Sequence, residues 1–423
     1  MKKYFVIAAA AALTLASCAK VENFTKVNDE QNIIGFSNYA PKALAKASSA
    51  NYVDGTTLVD NADFDVWGWY TSNGVSFNGT NGNQYFGDPT AWYTVTYNGN
   101  GSSGNTNGLH NSYPDGARYW PTGDAPDYLH FAAYYPSNSG LGITAPDSGL
   151  GVYEFTAKAT AATMVDFMVA DVVKDQTYDN SNGNPGTNSG TDGTVALNFR
   201  HQLTRVQFKF KTTQAIVDDA NTTIKVTDVK IYNALTYGKL TSSYLQKDKT
   251  GRYSDDLAYD ENDTPLTWET RTVWSAQATP SASPYEVFVN GADINNFELN
   301  ATAAPATNNP ADIFLMVPQA MIEPEFSATP HITTNLSNKP QYVLVEWDVI
   351  TKGVTTHNTK ALYFDTDLKT TDNITAPAAA KDLDWEKNKS ITYTLTIGPK
   401  QILFTGTATA WEEPEINGFF NVN

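Results

Sequence analysis

Leu203-Thr204-Arg205-Val206-Gln207-Phe208-Lys209-Phe210 alternates without a break. Val206, Phe208 and Phe210 point one way; Arg205, Gln207 and Lys209 point the other. Side chains of a strand repeat every two residues, so this is a sheet with one wet face. The same reading extends in both directions. Upstream, Asp63–Tyr70, Ala91–Tyr97, Tyr128–Tyr135, Met164–Val173 and Val195–Phe199 are dense in β-formers. Downstream, strands are predicted at Ile224–Tyr232, Tyr285–Val289, Ile313–Val317, Tyr342–Ile350, Ala361–Phe364, Ile391–Ile397 and Gln401–Trp411. In Tyr342–Ile350 one face carries Val343, Val345, Trp347 and Val349. In Ile224–Tyr232 the apolar phase shifts between Val226 and Val229, which places a bulge there. No helical period is sustained anywhere. Many short strands without a strong amphipathic helix predict an all-β protein of two tandem antiparallel β-sandwiches. The polar stretch Thr212–Thr222 sets the boundary, giving domains at 51–212 and 213–423.

Composition agrees. Aromatic residues make up 12 % of 423 residues, with 23 tyrosines, while charged residues reach only 17 %. This mix disfavours helices and suits sheets joined by turns. The 41 % apolar content argues against disorder. Three stretches, Asn73–Asn83, Asn98–Gly108 and Asp179–Gly193, consist mainly of Gly, Asn, Ser and Thr and read as surface insertions.

The N-terminus carries an address. Met1-Lys2-Lys3 precedes an apolar run, Tyr4–Leu15, and then Leu15-Ala16-Ser17-Cys18. A basic start, a short apolar segment and small residues before the break make a signal peptide over 1–17. Cys18 is the sole cysteine, and its setting resembles a bacterial lipobox. The thiol there receives a diacylglyceryl group and becomes the mature N-terminus. The run is too short to span a bilayer, which takes roughly 20 apolar residues, so the expected attachment is acyl chains such as palmitate in the outer membrane. Each buried CH₂ of such a chain contributes about 0.8 kcal/mol. With its one cysteine acylated, the chain has no internal disulfide. The formal net charge of −17 argues against nucleic acid as a partner. Residues 18–50 then read as a tether, a short strand at Ile33-Ile34-Gly35-Phe36, and a linker, Pro41–Ala50, open to proteases at Lys42 and Lys46.

A search for chemistry finds little. The five histidines are scattered, with no metal-binding spacing, no nucleophile elbow and no phosphate loop. No cofactor and no catalytic residue is expected. His201 reads as structural. Asp365, Asp367, Glu412 and Glu413 read as solvated turn residues, because glycosidase pairs carry no sequence spacing. The Asp179–Gly193 loop is rich in oxygen ligands but lacks the order of a calcium-binding loop. Trp67, Trp69, Trp92, Tyr93 and Tyr97 either stack on sugars or fill cores; the core reading is preferred.

Several segments, in order, carry a family likeness. They are the lipobox at Cys18, Phe64-Asp65-Val66-Trp67-Gly68-Trp69, Phe199-Arg200-His201-Gln202-Leu203-Thr204-Arg205-Val206, Ile313-Phe314-Leu315-Met316-Val317-Pro318-Gln319, Lys389-Ser390-Ile391-Thr392-Tyr393-Thr394-Leu395 and Thr409-Ala410-Trp411. Together the chain resembles the fimbrillins of Bacteroides-type bacteria, lipoprotein precursors of fimbrial subunits. The resemblance implies transthyretin-like, Greek-key sandwiches and a non-catalytic structural or adhesive subunit of a cell-surface fimbria. It implies a protease that cuts after Arg or Lys and removes an N-terminal segment with its first strand. In this chain, which has no Arg before Arg118, the cut falls after Lys42 or Lys46 and removes Ile33–Phe36. The emptied groove then takes a strand from another subunit. The closing segment offers Ile402, Phe404, Trp411, Ile416, Phe419 and Phe420 as donor residues. Implied partners are other fimbrial subunits, outer-membrane lipid through acylated Cys18, and a host surface protein or glycan. The competing readings are a surface carbohydrate-binding lipoprotein of a glycan-uptake system and a surface glycosidase.

The N-terminal residue of protein recovered from the cell surface separates two states. Cys18 marks a retained anchor; Ala43 or Ala47 marks processing. Edman or mass-spectrometric sequencing reads it directly.

Overall fold

A computed structural model describes residues 33–39, 62–86, 92–97, 111–113, 116–121, 127–137, 142–158, 163–177, 194–258, 261–262, 267–276, 285–287, 297–298, 302, 313–322, 339–364, 368–370 and 384–411. In chain order the strands are β1 (Gly35–Tyr39), β2 (Ala62–Thr71), β3 (Asn83–Phe86), β4 (Tyr93–Tyr97), β5 (Asn111–Ser112), β6 (Tyr128–Tyr135), β7 (Ile143–Thr144), β8 (Gly151–Thr156), β9 (Met168–Ala170), β10 (Val173–Gln176), β11 (Thr194–His201) and β12 (Thr204–Lys211). A single turn of helix, α1 (Gln214–Val217), follows. Then come β13 (Thr222–Tyr232), β14 (Tyr237–Lys247), β15 (Thr267–Ala276), β16 (Tyr285–Glu286), β17 (Phe297–Glu298), β18 (Ile313–Met316), β19 (Tyr342–Thr351), β20 (Val354–Tyr363), β21 (Leu368–Thr370), β22 (Lys389–Ile397) and β23 (Ile402–Ala410). The protein is all-β, as its composition predicts.

The strands form four sheets. A nine-stranded sheet runs β1-β11-β9-β6-β2-β4-β5, with β10 on β6 and β3 on β2. Two five-stranded sheets run β18-β12-β22-β23-β21 and β16-β13-β19-β20, the latter with β17 on β13. A four-stranded sheet runs β15-β14-β8-β7. The two five-stranded sheets form a sandwich. Val206, Phe208 and Phe210 of β12 share one core with Val343, Val345 and Trp347 of β19. The alternation read in both strands is therefore the inward face of this core. The bulge predicted between Val226 and Val229 falls between Val226 and Asp228, where the β13–β19 register shifts.

At β2 and β6 the nine-stranded sheet is buried on both faces. From β2, Phe64 and Val66 join a core with Leu129, Phe131 and Ala133 of β6. Trp67 and Trp69 point the other way, into a cluster with Ala132 and Tyr244. Burial on both faces explains why residues 66–70 read as a continuous apolar run rather than an alternating one.

Three expectations change. The sheets do not divide at 212/213. β12 pairs with β18 and β22, so the crossing between sheets lies at Gln202–Leu203, and β8 pairs with β14 across any such line. The polar stretch after Thr212 makes a turn and α1 instead. The strand predicted over 164–173 breaks into β9 and β10, because Asp171 leaves the ladder to donate its N–H to the Asn198 carbonyl. β3, β5, β7, β8, β14, β15, β17, β21 and the first half of β20 were not foreseen.

A polar knot pins the Asn73–Asn83 insertion. His130 is fully buried and stacks on Phe77 at 4.7 Å. Its Nδ1 accepts the Asp175 N–H at 2.8 Å. The ring's proton therefore sits on Nε2, which lies 2.8 Å from Thr71 Oγ1; Thr71 in turn donates to the Val75 carbonyl. Asp175, at φ 55°, turns its carboxylate back to accept from Ser76 Oγ and the Phe77 N–H. Burial lowers the His130 pKa from 6.5 to about 4, against an upward pull from Asp175.

Two predictions follow from this packing. Gly149 sits at φ +75°, where an added Cβ would lie 2.5 Å from the Trp69 ring and 2.6 Å from that of Trp67. Gly149→Ala should cost about 1–3 kcal/mol in urea unfolding, from overpacking and strain together. For His130, the unfolded chain takes up a proton between pH 6.5 and 4 that the folded chain refuses, so stability is lost as pH falls through that window. Thermal melts from pH 7 to 4 should show a falling midpoint, and His130→Gln should flatten that slope while lowering the midpoint at pH 7.

Candidate assembly groove

Strand β1 lies at the edge of the nine-stranded sheet. It runs parallel to β11, with Gly35 opposite Thr194 and Tyr39 opposite Asn198. Its only sheet neighbour among the described residues is β11. Ile34 and Phe36 are nonetheless buried, at 0 % and 2 % exposure. The Phe36 ring meets Phe131 edge-on at 5.5 Å and Phe64 at 6.3 Å. Each side chain so buried contributes roughly 1.5–3 kcal/mol. Ile34 and Phe36 thus sit in the core under a strand that, among the described residues, is the sheet's last.

A clasp closes over the entry to β1. The Ile34 N–H donates to the Arg118 carbonyl at 2.8 Å, and Ile33 bridges Tyr119. The Tyr113 hydroxyl donates to the Ile34 carbonyl at 2.5 Å. Burial pushes that phenol well above the ordinary tyrosine range, so it stays a donor. The Arg118 guanidinium lies 4.9 Å above the Tyr93 ring, and Trp120 packs on Phe131. The Tyr85 hydroxyl, raised to about 12 by burial, donates to the Tyr119 carbonyl. Sequence reasoning did not find this clasp. Its one signal was the turn tripeptide Pro114-Asp115-Gly116, with Gly116 at φ 88°.

At the other end of the chain, β23 lies between β22 and β21 in its own sheet. Ile402 and Phe404 are buried; Phe404 packs on Tyr393 and Phe364. Trp411 leaves the strand, donates its N–H to the Asn388 carbonyl at 2.7 Å, and stacks on His201 at 3.7 Å and 7°. Nδ1 of His201 lies 2.8 Å from Asp166 Oδ2, both side chains fully buried. Three of the six expected donor residues thus sit in this chain's own core. Ile416, Phe419 and Phe420 lie outside the described residues, as do Cys18, Lys42, Lys46 and the Asp179–Gly193 loop.

The aromatics weighed as sugar platforms are packed away. Trp67, Trp69, Tyr93 and Tyr97 are buried. Trp92 is half-buried and donates to the Pro146 carbonyl. Among the described residues no group of three or more His, Cys, Asp or Glu converges on a point.

Comparison with known proteins places this architecture. No curated protein matches. A fimbrial protein from Bacteroides vulgatus is similar in structure, at 16 % identity and a TM-score of 0.50, the match covering 89 % of this chain and 99 % of that one. A proposed cell adhesion protein from Bacteroides uniformis is 14 % identical over 91 % of this chain and 100 % of that one, TM-score 0.44. The C-terminally truncated tip fimbrial protein Mfa3 from Porphyromonas gingivalis is 13 % identical over 83 % and 95 %, TM-score 0.32. The first shares the fold. The sequence profile of the fimbrillin-like family matches residues 52–411, from ten residues before β2 to the tryptophan that caps β23, and the chain belongs to that family.

Proposed function

We propose that this chain is a structural subunit of a cell-surface fimbria, exported as a lipoprotein acylated on Cys18 and assembled when a neighbour's strand replaces β1. Family membership supports association with other fimbrial subunits at the cell surface. The observation that carries the finer reading is the seat of β1: an edge strand whose Ile34 and Phe36 complete the core.

Lys42 and Lys46 follow closely on the end of β1 in sequence. A cut at either residue leaves β1 and Cys18 on the same fragment, so one event frees the groove and severs the lipid anchor. Departure of β1 frees one edge of β11, which keeps β9 on the other, and exposes a row of N–H and C=O groups beside the apolar sites that Ile34 and Phe36 had filled. Such a groove takes an extended segment by backbone hydrogen bonds, with alternate side chains filling the pockets. Ile402, Phe404 and Trp411 are already used in this chain's own core, which narrows the donor to the stretch bearing Ile416, Phe419 and Phe420. A head-to-tail contact that does not close on itself builds a filament. Until the cut, β1 fills its own groove and holds the subunit monomeric.

Digestion of the purified precursor with a lysine-specific protease tests this. The expected products begin at Ala43 or Ala47 and run as ladders resistant to mild SDS. Uncut chain should remain monomeric, and the triple change Ile416→Ser, Phe419→Ser, Phe420→Ser should abolish the ladders without blocking cleavage. Cut, β1-free protein that stays monomeric at high concentration would refute the proposal.

A further inference from the structure

Strand β11 leads from the β1 site to the root of the C-terminal tail. β1 ends with Tyr39 opposite Asn198, and three residues further on β11 ends at His201. The His201 ring carries Trp411, stacked at 3.7 Å and 7°. Trp411 is 1 % exposed, and its N–H donates to the Asn388 carbonyl at 2.7 Å. Ring and backbone together fix the point from which the tail departs. That point lies at the end of β11 where β1 stops.

The distances suit a return. Phe36 sits opposite Val195, six residues back along β11 from His201, or about 20 Å at the rise of a strand. Phe420 follows Trp411 by nine residues, which when extended span about 30 Å. The remaining length, about 10 Å, exceeds the spacing of neighbouring strands, about 4.8 Å, and so allows the crossing to the β1 side of β11. The polar stretch Glu412-Glu413-Pro414-Glu415 falls in this crossing, where a proline breaks no ladder.

Direction and register also fit. A tail that leaves His201 and heads for Val195 runs against β11, whereas β1 runs with it. It passes the sites of Asn38, Phe36 and Ile34 in that order. Gly418, Phe420 and Val422 meet these sites in turn, with apolar side chains falling where the buried Phe36 and Ile34 had been. Antiparallel pairing is slightly the more stable of the two.

We propose that, once β1 is cut away, this chain's own tail takes the vacated site in dilute solution, running antiparallel to β11 with Phe420 at the site of Phe36. The inference rests on the strand-replacement reading above and adds to it a closed monomer that competes with the filament. A tether this short holds the tail at an effective concentration on the order of millimolar. Below that concentration each subunit fills its own site; near it, a neighbour's tail wins.

A disulfide trap tests this. With Phe420 opposite Val195, Asn421 comes opposite Thr194. The full chain carrying Thr194→Cys and Asn421→Cys, with Cys18→Ser so that no other thiol remains, is cut with a lysine-specific protease at roughly micromolar protein, far below the effective concentration, and oxidised. The expected product is a disulfide within one chain, seen as a monomer whose mobility shifts on reduction, formed after the cut and not before. Adding Phe420→Ser should lower its yield about tenfold or more. Should Thr194→Cys fail to fold, Ala196→Cys with Phe419→Cys reads the same register. The inference is overturned if the cut protein forms no such disulfide, if uncut protein forms it equally, or if it persists with Phe420→Ser. Ladders at high concentration without the disulfide at low concentration would overturn self-filling alone. The disulfide without ladders at any concentration would support self-filling and refute exchange between subunits.

Discussion

The rings of Phe64 and Phe131 are fully buried, and something has to cover them. They belong to adjacent strands of a sheet whose other face is already occupied by Trp67, Trp69 and Ala132, so neither strand can turn its aromatics away. Phe36 supplies the cover, resting edge-on against both rings. Among the described residues the strand that brings it pairs with one neighbour, β11. In the proposed assembly, an extended segment that delivers an apolar side chain to the same place meets the same need. The clasp made by Tyr113, Arg118 and Tyr119 acts through backbone atoms of Ile33 and Ile34 and so does not depend on which side chains arrive.

Eight residues tie the sheets together. Phe199 packs on Phe64 in the first core, and Val206 lies in the second. Between them His201 carries the stacked Trp411, the Gln202 carbonyl accepts from Trp274 Nε1 of β15, and Leu203 accepts the Asn388 N–H. The segment from β11 to β12 thus joins the β1 sheet, the end of β23 and β15. Loss of Trp411 would unroof the buried His201–Asp166 pair, which is reason for the C-terminal strand to stay where it is.

Legibility followed burial geometry. β12, β19 and the β13 bulge were readable because one face is apolar and the other wet. β2 and β6 were readable because both faces are apolar. β14 was not. Its inward positions are Gly238, Leu240, Ser242 and Tyr244, two of them small, because Trp274 fills the space above Gly238, where an added Cβ would lie 2.8 Å from its ring. A large residue on the neighbouring strand replaces the missing bulk, and a hydrophobicity pattern read along one strand cannot register it. At the N-terminal edge a strand was legible at Ile33–Phe36, whereas β1 runs Gly35–Tyr39, and its clasp comes from residues some eighty positions away.

The spacing of the seat also constrains the guest. Ile34 and Phe36 are two residues apart, so a replacing strand must present apolar side chains with period two on one face. Read as a strand, the tail alternates: Ile416, Gly418, Phe420 and Val422 share one face, and Asn417, Phe419 and Asn421 share the other. The first face matches the seat in either chain direction, with Phe420 and Val422 two apart beside Ile416. A one-residue slip would turn asparagines toward Phe64 and Phe131 and lose the match. In the proposed assembly, then, register is set by where Phe420 sits, and Phe419 lies on the outer face, where its burial depends on the neighbouring subunit rather than on the groove.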